Sequence, residues 1–359
     1  MKVYLVGGAV RDTMLGLNPK DRDFVVVRST IEEMEARGFQ KVGADFPVFL
    51  EPNTGEEYAL ARTEKKTGPG YMGFDTRFTP DVTIEEDLAR RDLTINAMAL
   101  DEESGTLVDP YGGFQDLQNK VLRHTSGAFI EDPLRVLRLA RFCSRFPAFT
   151  VDHSTVNYVK QMIEEGMLEE LTAERVFVEF SKGLSENKPS WMYKFLEMVG
   201  ARNLNQHFLP NDISRYEALD NAAQNGEDLA VLFAITASNF RSKAHFISAT
   251  IPSYIAEAAM LVNNELGFVT NYRSYSYEER AMFFNRVDLY RRQSRFEHVL
   301  TAIGYILISK NLDLPIEIYR DMNAALSVKY DQIKDLIKDP SKIQETFLRE
   351  RIKRMTLNS

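Results

Sequence analysis

The sequence predicts an α+β chain: an N-terminal mixed-sheet part followed by a long all-helical remainder. Three observations predict this. Up to about residue 125, short apolar runs alternate with turns rich in glycine and proline. From about residue 126 the apolar period becomes helical, in EDPLRVLRLARFCSRF, ERVFVEFSKGL and WMYKFLEMVG, and stays mostly helical to the end. Neither a repeat of fixed period nor a low-complexity tract interrupts the pattern.

The elements follow in order. Residues 3 to 6 read as a strand, Gly7-Gly8 as a turn, and AVRDTMLG as a short helix closed by Gly16. A second strand spans about 22 to 27. Thr30 then caps IEEMEARG, with Glu33 completing a capping box and Gly38 the stop. Strands recur near 39 to 42, 47 to 51 and 56 to 62, the last two joined through PNTG. RTEKKTGPGYMGF reads as a mobile loop, and a short helix-and-strand unit runs on to LVDPYGG. Beyond residue 205 the helices break at FLPND, TIPS and LDLP.

A chain of 359 residues suits two or three domains. Composition is that of a water-soluble protein, 44% hydrophobic and 27% charged, with no apolar run long enough to cross a bilayer. MKVYLVGG lacks a signal-peptide layout, which predicts a cytoplasmic protein with no membrane partner. The single cysteine, Cys143, excludes an internal disulfide and reads as a small core residue of a helix. A net charge of −8 opposes a surface coated in nucleic acid but permits a local basic face.

KDRDFVVV sets Asp21 and Asp23 at the mouth of a buried strand. Residues two apart in a strand share a face, so the two carboxylates stand together and favour a cation between them. Hard oxygen donors without histidine select Mg2+ over zinc. An isolated DxD is also a common solvated turn. The preceding LVGGAVRD changes the weight: a glycine pair lets backbone approach an anion, a helix start favours phosphate, and Arg11 adds a forked donor. A phosphate cradle ahead of a metal pair points to a nucleoside triphosphate on magnesium.

These residues carry a resemblance. LVGGAVRDTMLG with KDRDFVV, EEYALARTE, RRDLTINAMA, EDPLRVLRLARF and LTAERV is similar to the polymerase-β-like nucleotidyltransferases, and within them to the class II, bacterial-type tRNA nucleotidyltransferases, the CCA-adding enzymes. Poly(A) polymerases share the stretch. The resemblance covers about residues 1 to 200 and implies a nucleotidyltransferase head over 1–125, a helical neck with a nucleotide-selecting helix over 126–205, and a helical body and tail over 206–359 that binds tRNA. It also implies template-independent addition of C, C and A to the tRNA 3′ end from CTP and ATP, with release of pyrophosphate.

The resemblance places Glu57 as a third carboxylate beside Asp21 and Asp23, although a solvent-facing glutamate at a strand start fits it equally. Gly8, Arg11 and Arg91 would hold the triphosphate, and Asp92 would accept from ribose hydroxyls. Asp132, Arg135, Arg138 and Arg141 recur at one-turn spacing along one side of a helix, opposite Val136, Leu139 and Cys143. Cytosine and adenine each show an amino donor beside a ring-nitrogen acceptor, so a carboxylate that accepts and a guanidinium that donates fit C and A and reject G and U. Asp132 and Arg135 would select the base, with Arg138 and Arg141 reaching base or triphosphate. Thr172 caps the next helix, with Arg175 in its first turn as a brace for the preceding one.

None of the chain's five histidines is followed by aspartate, so the phosphohydrolase that some relatives carry in the C-terminal half is not expected. DLYRRQSRFEHVL, with Arg280 and Arg286, reads either as a face for RNA phosphates or as an ordinary amphipathic helix. Rivals to CCA addition are a poly(A) polymerase, a transferase adding only C or only A, and an RNA-binding protein without catalysis.

Overall fold

The computed structural model describes residues 1–42, 47–66, 68, 74–201, 214–237, 251–337 and 339–357. The chain forms two compact units, one of residues 1–179 with 194–201, the other of 180–193 with 202–359. The first unit holds the expected head together with most of the expected neck.

A seven-stranded mixed sheet organises the first unit, with β1 (Lys2–Val6) and β2 (Asp23–Val27) near its middle. β3 (Gln40–Lys41), β4 (Val48–Leu50) and β5 (Glu57–Leu60) follow in chain order, and the spatial order is β3-β4-β5-β2-β1-β8-β9. β6 (Thr63–Lys66) and β7 (Phe74–Arg77) form a separate hairpin, while β8 (Ala99–Asp101) and β9 (Leu107–Val108) complete the main sheet. The stretch expected as a loop from Arg62 on is thus partly a hairpin; residues 67 and 69–73 lie outside the described residues.

Phe24 to Val27 are buried without alternation because the sheet is covered on both faces. Tyr4, Val6, Val25 and Val27 join Leu88 and Ala97 on one side; Val26, Met34, Phe49 and Leu60 pack on the other. Phe24 stacks on Tyr58 at 4.5 Å.

α1 (Gly8–Met14) follows β1, and α2 (Ile31–Ala36) is capped by the Thr30 side chain on the Glu33 amide. The reciprocal half of the expected capping box is diverted: the Glu33 carboxylate takes the Ser29 hydroxyl at 3.0 Å and Arg37 at 3.0 Å. α3 (Ile84–Ala89) and α4 (Gly113–Asn119) complete the head, and α5 (Leu134–Arg145) opens the helical series. α6 (His153–Glu164), α7 (Ala173–Leu184) and α8 (Ser190–Met198) continue it. Cys143 is buried in α5, where burial pushes its thiol up to about 12.

The second unit is helical throughout its described residues. The helix Leu229–Thr236 is buried on every side from Ala230 on, and Phe283, Phe284 and Phe296 form an aromatic centre. FLPND lies outside the described residues. No described helix is long and apolar enough to cross a membrane.

Candidate active site

Asp23 opens β2 at the point where the sheet meets two hollows. The antiparallel register sets it opposite Val6, the last residue before the glycine turn, and the parallel register sets it opposite Glu57. Adjacent strands lie about 4.8 Å apart, so this register makes Glu57 a neighbour of Asp23. Asp21 stands in a bend two residues ahead of β2, outside the strand. The expectation that strand alternation pairs Asp21 with Asp23 is therefore corrected, since the chain's bend brings Asp21 near.

The acidic character of the pair is expressed in Asp23. Partial burial pushes its carboxyl up, Arg91 pulls it down, and Asp21 pushes it up again. Among the described residues no cluster of three or more His, Cys, Asp or Glu side chains closes into a ready-made cage. The pair Asp21 and Asp23 offers only oxygen donors, the kind magnesium takes while filling the rest of its shell with water and substrate phosphates.

On one side of Asp23 lies a cleft of ≈ 520 Å³. Eight arginines line it, Arg11, Arg62, Arg90, Arg91, Arg135, Arg138, Arg141 and Arg145, against the carboxylates Asp23, Glu64, Asp92 and Asp132. This concentrates positive charge in a chain whose total is −8 and favours a triphosphate there.

Gly7 and Gly8 form the cleft's wall. Gly7 holds φ 67° as N-cap of α1, and a Cβ built on it would come 2.8 Å from an Arg91 guanidinium nitrogen. Sequence reasoning singled out Gly8; the close approach belongs to Gly7. Arg91 reaches the cleft from the end of α3, with one guanidinium nitrogen on Asp87 at 3.2 Å and a buried Nε without a partner. Asp87 is fully buried and also takes Arg90 at 2.7 Å and the Arg62 amide at 3.2 Å. Burial pushes its carboxyl up, but the arginines and that amide outweigh it and hold it below the usual range.

Arg11, expected as a free phosphate donor, is almost wholly buried. Its Nε binds Asp12 at 2.9 Å, another guanidinium nitrogen binds the Asn96 side chain, and Phe142 and Phe146 of α5 lie 5.3 and 5.4 Å from it. The opposite Asp12 oxygen accepts from Arg145 at 2.8 Å. Arg11 thus ties α1 to α5 while its edge lines the cleft.

Asp132 is not on α5. It lies in extended backbone before Pro133, accepts the Leu134 amide at 3.0 Å, and receives Arg175 of α7 at 3.2 and 3.3 Å. This corrects the four-residue helical stripe: Arg135, Arg138 and Arg141 belong to the helix, whose N-cap is Pro133, and Asp132 precedes it. Arg175 braces Asp132 itself, which spacing did not reveal.

Arg135 is buried and donates to the carbonyls of Ala128 and Arg90. Arg138 forks onto Asp92 at 2.8 and 2.7 Å, and Arg141 binds Glu179 at 2.8 Å. Burial pushes the Asp92 carboxyl up, but Arg138, Asn96 at 3.0 Å and the Leu93 amide at 2.8 Å together hold it well below the ordinary range. Sequence reasoning missed Arg62, Arg90 and Arg145. The first two sit in the ARTE and RRD motifs already singled out, and Arg145 extends the Arg138, Arg141 spacing by one turn.

In the second unit, the arginines of the expected RNA face serve the fold. Arg280 is buried on Asp321 at 3.1 Å, Arg286 forks onto Glu265 at 2.9 and 2.6 Å, and Arg292 and Arg295 share Glu257. Phe296 is fully buried. That segment is accordingly an amphipathic, internally paired structure; Arg291 and Arg292 remain exposed.

Residues 3–123 match the family model of the poly A polymerase head domain. A multifunctional CCA protein of Aromatoleum aromaticum is 43% identical over 340 residues, 84% of this chain and 83% of that protein. A CCA-adding enzyme of Pseudomonas putida is 46% identical over 317 residues, with 84% and 83% covered. A solved tRNA nucleotidyltransferase, in complex with a primer tRNA and an incoming ATP analog, superposes with TM-score 0.65 at 25% identity, covering 93% of this chain and 96% of that one. The head and its site thus define a nucleotidyltransferase. The chain belongs to the CCA-adding enzymes, the tRNA nucleotidyltransferases that add C, C and A to the 3′ end of tRNA, a family that generally works with a divalent metal.

Proposed function

We propose that this chain completes the tRNA 3′ end in full, from CTP and ATP, in the cytoplasm, with Asp21 and Asp23 holding Mg2+ and Glu57 assisting. The observation that carries this reading is the shared position of Asp23, in register with Glu57 and at the edge of a cleft lined by eight arginines. When bound, magnesium supplies positive charge at the reacting phosphate. The chain's own residues do the rest. Arg91 and the backbone at Gly7 and Gly8 position the triphosphate, with the edges of Arg11 and Arg145 beside it, so that pyrophosphate leaves into positive potential. Asp92, itself held by the Asn96 amide, fixes Arg138, and it stays ionised to accept a ribose hydroxyl.

Asp132 accepts the amino group shared by cytosine and adenine, and Arg135 donates to the ring nitrogen beside it. Arg175 orients Asp132 for this task. The Arg135 guanidinium is already anchored on two carbonyls, which leaves its free N–H groups aimed rather than mobile. Labelled CTP and ATP offered with tRNA lacking its last three nucleotides test the reading. Incorporation that stops after C-C-A supports it. An open-ended A tail, C alone, A alone or no incorporation overturns it in favour of a poly(A) polymerase, a partial transferase or a binding protein.

A further inference from the structure

The Asp92 carboxylate lines the cleft with every acceptor place already taken. An ionised carboxylate offers about four lone-pair sites, two on each oxygen, and four donors meet it here. Its Oδ1 accepts the Leu93 amide at 2.8 Å and the Asn96 side-chain amide at 3.0 Å. Its Oδ2 accepts Nε and one terminal nitrogen of Arg138, at 2.8 and 2.7 Å. A ribose hydroxyl therefore gains a place on Asp92 only when one of these donors leaves. The two on Oδ1 belong to the turn that carries Asp92: the Asn96 amide is tied back to the Leu93 carbonyl at 2.9 Å, and the Asn96 side chain also holds Arg11. Arg138 comes from another element, α5, and its side chain is 34% exposed. Its remaining terminal nitrogen stands 3.9 Å from Oε1 of Glu179, whose other oxygen takes Arg141 at 2.8 Å. A shift of about 1 Å would bring that nitrogen to the roughly 2.8 Å of a charged hydrogen bond.

We propose that the incoming ribose hydroxyl takes one of the two Arg138 places on Asp92, and that Arg138 moves onto Glu179 as it does, which makes Arg138 a positioning residue for ribose selection. The inference rests on the transferase reading above. The exchange leaves no buried charge alone: Asp92 trades an N–H donor for an O–H donor, and the guanidinium has a carboxylate beside it in either seat. A nucleotide without the hydroxyl leaves Arg138 where it stands.

The test measures equilibrium binding of CTP and of 2′,3′-dideoxy-CTP, which lacks both ribose hydroxyls, to the full chain with magnesium ions. Arg138→Lys keeps the positive charge but donates to Asp92 from a single nitrogen, so one place stands open. In that variant the advantage of CTP over the dideoxy nucleotide widens about tenfold, the scale of one hydrogen bond to a charged group, while the Kd of the dideoxy nucleotide stays within about twofold. Glu179→Gln weakens the second seat and narrows the advantage, and the narrowing disappears in Glu179→Gln/Arg138→Lys. In the wild-type chain the nitrogen-15 NMR signal of Arg138 Nε–H, assigned by its loss in Arg138→Lys, shifts with CTP and keeps its position with the dideoxy nucleotide. An unchanged advantage in Arg138→Lys, a proportional change for both nucleotides, or an Nε–H signal that responds alike to both overturns the exchange. Equal affinity of the wild-type chain for the two nucleotides instead removes the ribose contact of Asp92 from the transferase reading itself, so the two failures are told apart.

Discussion

At the scale of the residue, Asp21 and Asp23 combine function with strain. Partial burial, with Asp21 adding to it, raises the cost of ionising Asp23, so its metal-free carboxylate opposes folding above its raised pKa. Because that pKa lies above the ordinary 3.8, Asp23 keeps its proton to a higher pH than a free aspartate, and on the proposed reading metal affinity is predicted to fall as pH drops through the raised value. Asp21→Asn removes one of the raising causes. Carbon-13 NMR of the metal-free protein should then show Asp23 titrating at lower pH, with a thermal midpoint at neutral pH no lower than wild type. Asp21→Ala is predicted to reduce incorporation by at least about a thousandfold, in line with loss of electrostatic stabilisation, while circular dichroism stays unchanged. Arg135→Ala should blur base choice: the preference for CTP over UTP narrows by about 1–3 kcal/mol, the discrimination carried by a good hydrogen-bonded base contact.

At the scale of the element, the site depends on what holds its side chains. Gly7 occupies φ 67° with Arg91 where a Cβ would stand, so Gly7→Ala combines backbone strain of about 1–3 kcal/mol with displacement of the triphosphate donor. Its expected result is a lower thermal midpoint and a raised KM for CTP and ATP alike. Asp92→Asn leaves the Arg138 fork with only Glu179, 3.9 Å away, as counter-charge. We predict a loss of roughly 2–3 kcal/mol by denaturant titration, less than for a fully buried pair because a third of Arg138 stays in solvent. The contribution of Asp92 is fully present above the unfolded pKa near 3.9 and is lost as pH falls through the depressed folded value. Elements were well legible in the sequence where a local signal existed: the Thr30 cap, the strand of KDRDFVVV, the buried side of α5. The register of Asp23 with Glu57 was legible only through the family resemblance, since strand pairing between residues 34 positions apart leaves no local mark. The position of Asp132 ahead of α5 was likewise hidden, because one-turn spacing reads the same on either side of a helix start.

At the scale of the whole molecule, charge is sorted rather than merely summed. An overall −8 coexists with eight arginines around one cleft, while Arg280, Arg286, Arg292 and Arg295 of the second unit pair with Asp321, Glu265 and Glu257. Asp321 is fully buried and receives Arg280 and the Tyr272 hydroxyl, both at 3.1 Å. Asp321→Asn strands a buried guanidinium and is predicted to destabilise residues 202–359 by about 3–5 kcal/mol. Hydrogen exchange should report that loss in the second unit, with CTP protection of the first unit retained.

By itself the sequence determined the class of chemistry and the family. Glycine turn, paired aspartates and an arginine-rich helix are short-range patterns, written in residue type and spacing. Only the tertiary structure decided which arginines gather around the cleft and which carboxylate each of them pairs with. It also decided that Gly7 rather than Gly8 makes the close approach, and that Asp23 lines both hollows. Those outcomes come from strand pairing and from ion pairs between residues far apart in the chain, whose partners are chosen by packing.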